Sequence, residues 1–249
     1  MTMTRSPVEI TSFPSPHRSP QDSAAFVQSD AGDIRLGPIL AIPKVLQDLG
    51  ARPQTAFTRA GVRLSLFRDP DARLPLEVAG GLFAECARLT DCPHFALLVG
   101  ERFSLDGLGP LGELMRHSPT VGAALRSLLL HLQLHDRGAA PLLLQTERNT
   151  SVLGYSVYRH FTPGAAFIYD VAVTIGHRIL LALCGPAFVP VAVQFSYRRP
   201  ARTAAYRQIF RAPLQFDAEA SGLVFTSSWL TRPIEGADPQ RHQALTKAL

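Results

Sequence analysis

A chain of 249 residues is long enough for one large domain or two small ones, each with a real core. Hydrophobic residues make up 46% and charged residues 18%, and the net charge of +5 comes from scattered arginines, so nucleic-acid binding does not follow from charge alone. Cys86, Cys92 and Cys184 lack C-x-x-C spacing, which excludes a disulfide frame or a zinc knuckle and points to a reducing compartment; the N-terminus has no apolar run of the secretory kind.

Residues 1–35, rich in Ser, Pro and Thr, read as a disordered leader. Residues 36–136 read as a helical subdomain. Short helices are expected over 41–49 and 54–60, separated by Gly50-Ala51-Arg52-Pro53, and Arg68 to Ala72 forms a turn. Apolar residues at 76, 79, 82, 83, 86 and 89 predict a helix over Leu76–Thr90, and Phe95 to Arg102 predicts another. "LGPLGELMRHSPTVGAAL", Leu108 to Leu125, predicts a tight helical hairpin. Gly109-Pro110 opens its first helix; Ser118 is expected to cap the second, with Pro119 at its first position and its end near His135.

The character changes after Arg137-Gly138, and residues 137–232 read as an α+β subdomain. Pro141 to Glu147 and Ser151 to His160 predict a β-hairpin, and Val191 to Tyr197, Pro213 to Asp217 and Gly222 to Thr226 predict further strands. A long apolar helix is expected over about 164–184, stopped by Gly185-Pro186. Residues 200–210 predict one more helix, and residues 233–249 read as a linker entering a helix that the chain cuts off. The fold class is therefore α+β: an N-terminal helical layer, then a small, mostly antiparallel sheet packed with one long helix.

That helix matches a membrane span in length, but Asp170, Thr174, His177 and Arg178 fall on one stripe roughly a quarter-turn wide. Ionisable groups at membrane depth are expensive, so the helix reads as the buried helix of a soluble, cytoplasmic protein. The stripe itself reads as solvent-facing, or as the lining of a pocket. No Walker A loop, G-x-G-x-x-G, H-E-x-x-H or G-x-S-x-G is present, and no nucleophile accompanies Asp170 and His177, so no enzyme is expected. His131 and His135, with His117 upstream, have helical metal-ligand spacing but only Asp136 as a supporting ligand, and read as surface or capping residues; no metal or other cofactor is expected. Polar and aromatic groups in an apolar setting mark Tyr158, His160, Tyr169, Asp170 and His177 as candidate ligand contacts.

Several motifs carry a resemblance. Leu74-Pro75-Leu76 starts a helix; Asp91-Cys92-Pro93-His94-Phe95-Ala96-Leu97 forms a turn; the Leu108–Leu125 hairpin follows. Ala205-Tyr206-Arg207, Phe210, Pro213 and Phe216 then form an A-Y-R-x-x-F-x-x-P-x-x-F box. Together these resemble the N-terminal effector domain of AraC-type transcriptional regulators, in the subgroup called arabinose-binding-like, over about Leu36 to Pro239. The resemblance implies an effector-binding and dimerisation domain that senses a small organic molecule to control transcription, with a homodimer as its assembly. Such regulators continue into a domain with two helix-turn-helix units; this sequence stops at Leu249, so DNA is expected as a partner only through a domain absent from the chain. The alternative is a ligand-free interaction module that pairs with related regulators.

Overall fold

A computed structural model of the chain describes residues 32–146, 149–158 and 164–249, so most of the leader expected at residues 1–35 lies outside the described residues. The first described element is already a strand. β1 (Asp33–Arg35) pairs antiparallel with β2 (Arg73–Pro75), Ile34 opposite Leu74, where the sequence predicts leader and helices. Three residues are too few to show an alternating pattern. Side-chain chemistry holds the pair: Arg73 donates to Asp33 and to the carbonyl of Leu134.

The helical layer contains α1 (Ile42–Asp48), α2 (Pro53–Arg59), α3 (Leu76–Thr90), α4 (Phe95–Glu101), α5 (Pro110–Arg116) and α6 (Val121–His131). α3 buries Leu76, Ala79, Leu82, Phe83 and Cys86, the stripe its spacing predicts. It stops at Asp91, whose φ of 47° is left-handed, and Phe95 then sets its ring edge-on to Phe83 at 6.5 Å.

In the helical hairpin, Gly109 takes a φ of +56° and Pro110 occupies the first turn of α5, as the punctuation predicts. The second helix opens differently. Thr120, not Ser118, caps α6, accepting the N–H of Ala123 at 3.2 Å, and Pro119 stays in the loop. Ser118 is buried and donates to the carbonyl of Leu114 at 2.9 Å, closing α5 instead. "Ser-Pro-Thr" offers two possible caps. The choice is tertiary: Thr120 bridges to Pro233, and the N–H of Val121 donates to the carbonyl of Arg232 at 3.0 Å. α6 ends at His131 and tightens into a 3-10 turn over Leu132–Leu134.

Five strands, β3 (Ala139–Gln145), β4 (Thr150–Val157), β5 (Ala192–Gln194), β6 (Leu214–Gln215) and β7 (Ser221–Thr226), form one sheet in the order β3-β4-β7-β5-β6. Only the β5–β6 pair is parallel. α7 (Ala165–Cys184) runs between the layers, with α3 and α4 on one side and β4 and β7 on the other. Its length and composition would suit a membrane crossing, but here protein packs against its apolar surface. α8 (Ala204–Phe210) follows β5. α9 (Pro239–Ala248) starts where Asp238 accepts the N–H groups of Gln240 and Arg241, and rests on α5 through Arg241 and Glu113, 2.6 Å apart.

Candidate functional site

The polar stripe of α7 is buried, not solvent-facing; of its members only Arg178 is exposed. Gly100 on α4 makes room for it, since a Cβ there would lie 2.6 Å from the Cβ of Thr174. Asp170 accepts hydrogen bonds from the hydroxyls of Tyr197 and Tyr206, the latter at 2.8 Å. Around them Phe195 stacks on Phe216 at 5.2 Å and meets Tyr206 edge-on at 5.3 Å. The A-Y-R-x-x-F-x-x-P-x-x-F box thus builds an aromatic wall and supplies one of the two phenols. Burial pushes the Asp170 carboxyl up to about 7 against the opposing pull of those hydrogen bonds. His177, two turns on, packs against Phe210 at 5.3 Å and Phe188 at 6.2 Å; burial, then Arg178 and Arg211, pushes it down to about 4. Asp170 is therefore engaged by two tyrosines and is not set as an acid–base partner for His177.

The other predicted contacts do not join these two. Tyr158 is 63% exposed. Tyr169 approaches the N–H of Val157 at 3.5 Å and lies edge-on to Tyr155 at 6.4 Å. His160 lies outside the described residues.

A cavity of about 120 Å³ does lie between the sheet and α7, but against the opposite face of the helix. Ile168, Val171, Ala172, Ile175, Gly176 and Ile179 face it from α7, Leu153, Gly154 and Tyr155 from β4, and Leu223 from β7. Tyr158, Tyr169, Asp170 and His177 do not line it. Small residues leave the space open: a Cβ on Gly176 would make ordinary contact with Leu223 at 3.4 Å and Leu153 at 3.6 Å. Leu76, Leu108, Leu128 and Leu132 close it from the helical layer.

One part of the lining is polar, and its residues come from three distant segments: Arg35 at the end of β1, His135 and Asp136 after α6, and Tyr155 on β4. Backbone bonds bring them together, with the N–H of Arg35 donating to the carbonyl of His135 at 2.6 Å. Tyr155 donates its hydroxyl to Asp136, whose other oxygen accepts the N–H of Gly138 at 2.8 Å. Burial raises the Asp136 carboxyl, opposed by those hydrogen bonds and the charge of Arg73. Burial, then the charges of Arg35 and Arg73, pushes His135 down to about 4, so its imidazole is neutral at pH 7. The result is an apolar chamber with a fixed guanidinium and a satisfied carboxyl at one end. Sequence reasoning missed Arg35 altogether; the His135-Asp136 pair was visible, but as a weak metal pattern.

Among the described residues no group of three or more His, Cys, Asp and Glu is placed to hold a metal. The three histidines of the predicted pattern separate: His117 Nδ1 accepts the N–H of Asp238, His131 Nδ1 lies 2.9 Å from the carbonyl of Ser127, and His135 faces the cavity.

Residues 50–234 match the model of the arabinose-binding domain found at the N-terminus of AraC transcription regulators. Two curated relatives are each 24% identical. The HTH-type transcriptional regulator VirS of Mycobacterium tuberculosis aligns over 206 residues, 82% of this chain and 61% of its own. The ornithine utilization regulator of Pseudomonas aeruginosa aligns over 199, 80% of this chain and 58% of its own. The chain thus spans about three fifths of the length of these relatives. Among solved structures, the transcriptional regulator CdpR from Pseudomonas aeruginosa shares the fold, with a TM-score of 0.60 at 15% identity, covering 82% of this chain and 62% of that one. The punctuated hairpin and the aromatic wall both lie within the matched residues, and the chain is a member of the arabinose-binding domain family of AraC transcription regulators.

Proposed function

We propose that this domain senses a small, largely apolar organic molecule held in the chamber between α7 and the sheet, and acts by binding rather than catalysis. The observation that carries this reading is the chamber itself, apolar over most of its wall with a few polar groups converging at one end, the usual build of a small-molecule site. Its 120 Å³ approaches the roughly 150 Å³ that admits a benzene-sized guest. Occupancy would shift a conformational population of the domain, with any effect on transcription passing through a helix-turn-helix domain of the kind for which VirS is named.

The test is a thermal-shift series with single-ring aromatics and six-carbon aliphatics. A probe at about 100 times its dissociation constant should add roughly 2.7 kcal/mol to stability. Gly176→Ala should keep or raise the unliganded melting temperature, because alanine is the better helix former by about 1 kcal/mol and its methyl meets only ordinary contacts. The same methyl narrows the chamber, so the probe-induced shift should shrink. A shift retained in Gly176→Ala but lost in His177→Ala would move the site to the other face of α7. No shift with any probe would overturn the sensing reading.

A further inference from the structure

We propose that the Arg35 guanidinium anchors the carboxylate of an apolar ligand lodged in the chamber, and that Asp71 is an internal counter-ion which that carboxylate displaces. The inference rests on the sensing reading above and names the ligand class: a compact hydrocarbon, aromatic or short aliphatic, ending in a carboxylate.

The seat of Arg35 is built for its head group. The side chain is only 11% exposed although it carries a permanent charge. Gly37 lies close against it: a Cβ there would stand 3.3 Å from Nη1, tighter than ordinary contact. Nη1 donates to the carbonyl of Gly107 at 3.1 Å and lies 3.2 Å from His135 Nδ1, which fixes the plane of the fork. Both of these partners are neutral, since burial and the charges of Arg35 and Arg73 disfavour the imidazolium form of His135. The remaining edge, Nε and Nη2, faces a single carboxylate oxygen of Asp71 at 2.7 and 2.5 Å.

Asp71 is a weakly committed partner. Its side chain is 76% exposed, so water competes for its carboxylate. Exposed ion pairs contribute little, whereas a carboxylate held in an apolar chamber meets the same fork with less competition from water. The other charged group of the lining leads to the same head group. Asp136 already accepts from Tyr155 and Gly138, one hydrogen bond on each oxygen. A cationic ligand would meet a guanidinium of like charge; an anionic one replaces a counter-ion already in place.

Calorimetric titration at pH 7 with matched pairs, hexanoate against 1-hexanol and benzoate against benzyl alcohol, tests this on wild type, Asp71→Asn and Arg35→Gln. Asp71→Asn should fold normally. Its turn is fixed by backbone bonds, Leu36 N–H to Ala72 and Gly37 N–H to Pro70, each at 2.9 Å. Freed of its internal competitor, it should bind the carboxylates about two- to fivefold more tightly, the scale of an exposed ion pair, and leave the alcohols unchanged. Arg35→Gln should lose about tenfold or more on the carboxylates alone. If Arg35→Gln fails to fold, Asp71→Asn decides by itself. Equal affinity of acids and alcohols, or an Asp71→Asn effect that is nil or the same on both series, overturns the anchor while leaving the chamber as the site. Failure of every acid and alcohol to bind wild type removes the sensing reading and this inference with it.

Discussion

Gly112→Ala is expected to destabilise the domain by about 3 kcal/mol or more in urea unfolding, one of the largest single-methyl effects the fold offers. Gly112 lies in α5 directly over the 3-10 turn Leu105–Leu108. A Cβ there would stand 1.9 Å from the carbonyl oxygen of Leu105 and 2.7 Å from its carbon. Both atoms are backbone, so no side chain can rotate away. α5 cannot easily slide either, pinned at one end by Gly109 in its positive-φ turn and at the other by Ser118 on Leu114. Moving the 3-10 turn would also move Gly107, whose carbonyl receives Arg35. Gly81→Ala is the control. Gly81 is a helix-interior glycine of α3 whose Cβ would have nothing within 4 Å, so the substitution should stabilise by about 0.5 to 1 kcal/mol. If Gly112→Ala unfolded within 1 kcal/mol of wild type, the close approach of α5 to the Leu105 turn would be wrong.

The pair of glycines in "LGPLGEL" shows how sequence and structure relate here. The motif is readable as punctuation, and Gly109 behaves as punctuation should. Gly112 is a packing glycine, and nothing local distinguishes the two. The long elements were legible because their periodicity is strong: α3 and α7 appear where the spacing puts them, as does the β3–β4 hairpin. β1 and β2 were not, because each contributes three residues and is held by ion pairs with partners dozens of residues away. The candidate site was half legible for a similar reason. A space between sheet and long helix follows from the element order, but polarity pointed to the face of α7 opposite the chamber. Asp170 and His177 stand out in an apolar helix, yet Asp170 is satisfied by Tyr197 and Tyr206 and His177 is walled by phenylalanines. The open chamber lies where α7 presents Ala172 and Gly176, residues that a pattern search passes over. Arg35 could not be paired with His135 across 100 residues without the β1 contact that joins them.

Asp170→Asn is expected to change the pH dependence of stability by up to about 4 kcal/mol, the value of a shift from 3.8 to about 7 at roughly 1.4 kcal/mol per pH unit. The sign follows from which state holds the proton more tightly. In the folded protein Asp170 is 2% exposed and keeps its proton until about pH 7; unfolded, it loses it near 4. Its contribution is therefore fully present below pH 4, declines as pH rises, and is gone above about 7. Tyr197 and Tyr206, the groups that face it, are themselves held above the usual phenol range by burial and by Asp170, so they do not titrate in this window. His135 and His177 act in the opposite sense. Both are pushed down to about 4, so their contribution is complete above about 6.5 and is lost as pH falls through 4. Wild-type stability alone mixes these trends, and the difference between Asp170→Asn and wild type isolates the first. Asparagine can accept from one phenol and donate to the other, so the network survives without a titrating group. Urea unfolding at pH 5, 6, 7 and 8 should show the variant gaining on wild type step by step up to about pH 7, then running parallel to it. Curves that stay parallel from pH 5 to 8 would mean that Asp170 is ionised in the folded protein throughout, with its two tyrosines stabilising a carboxylate rather than an acid.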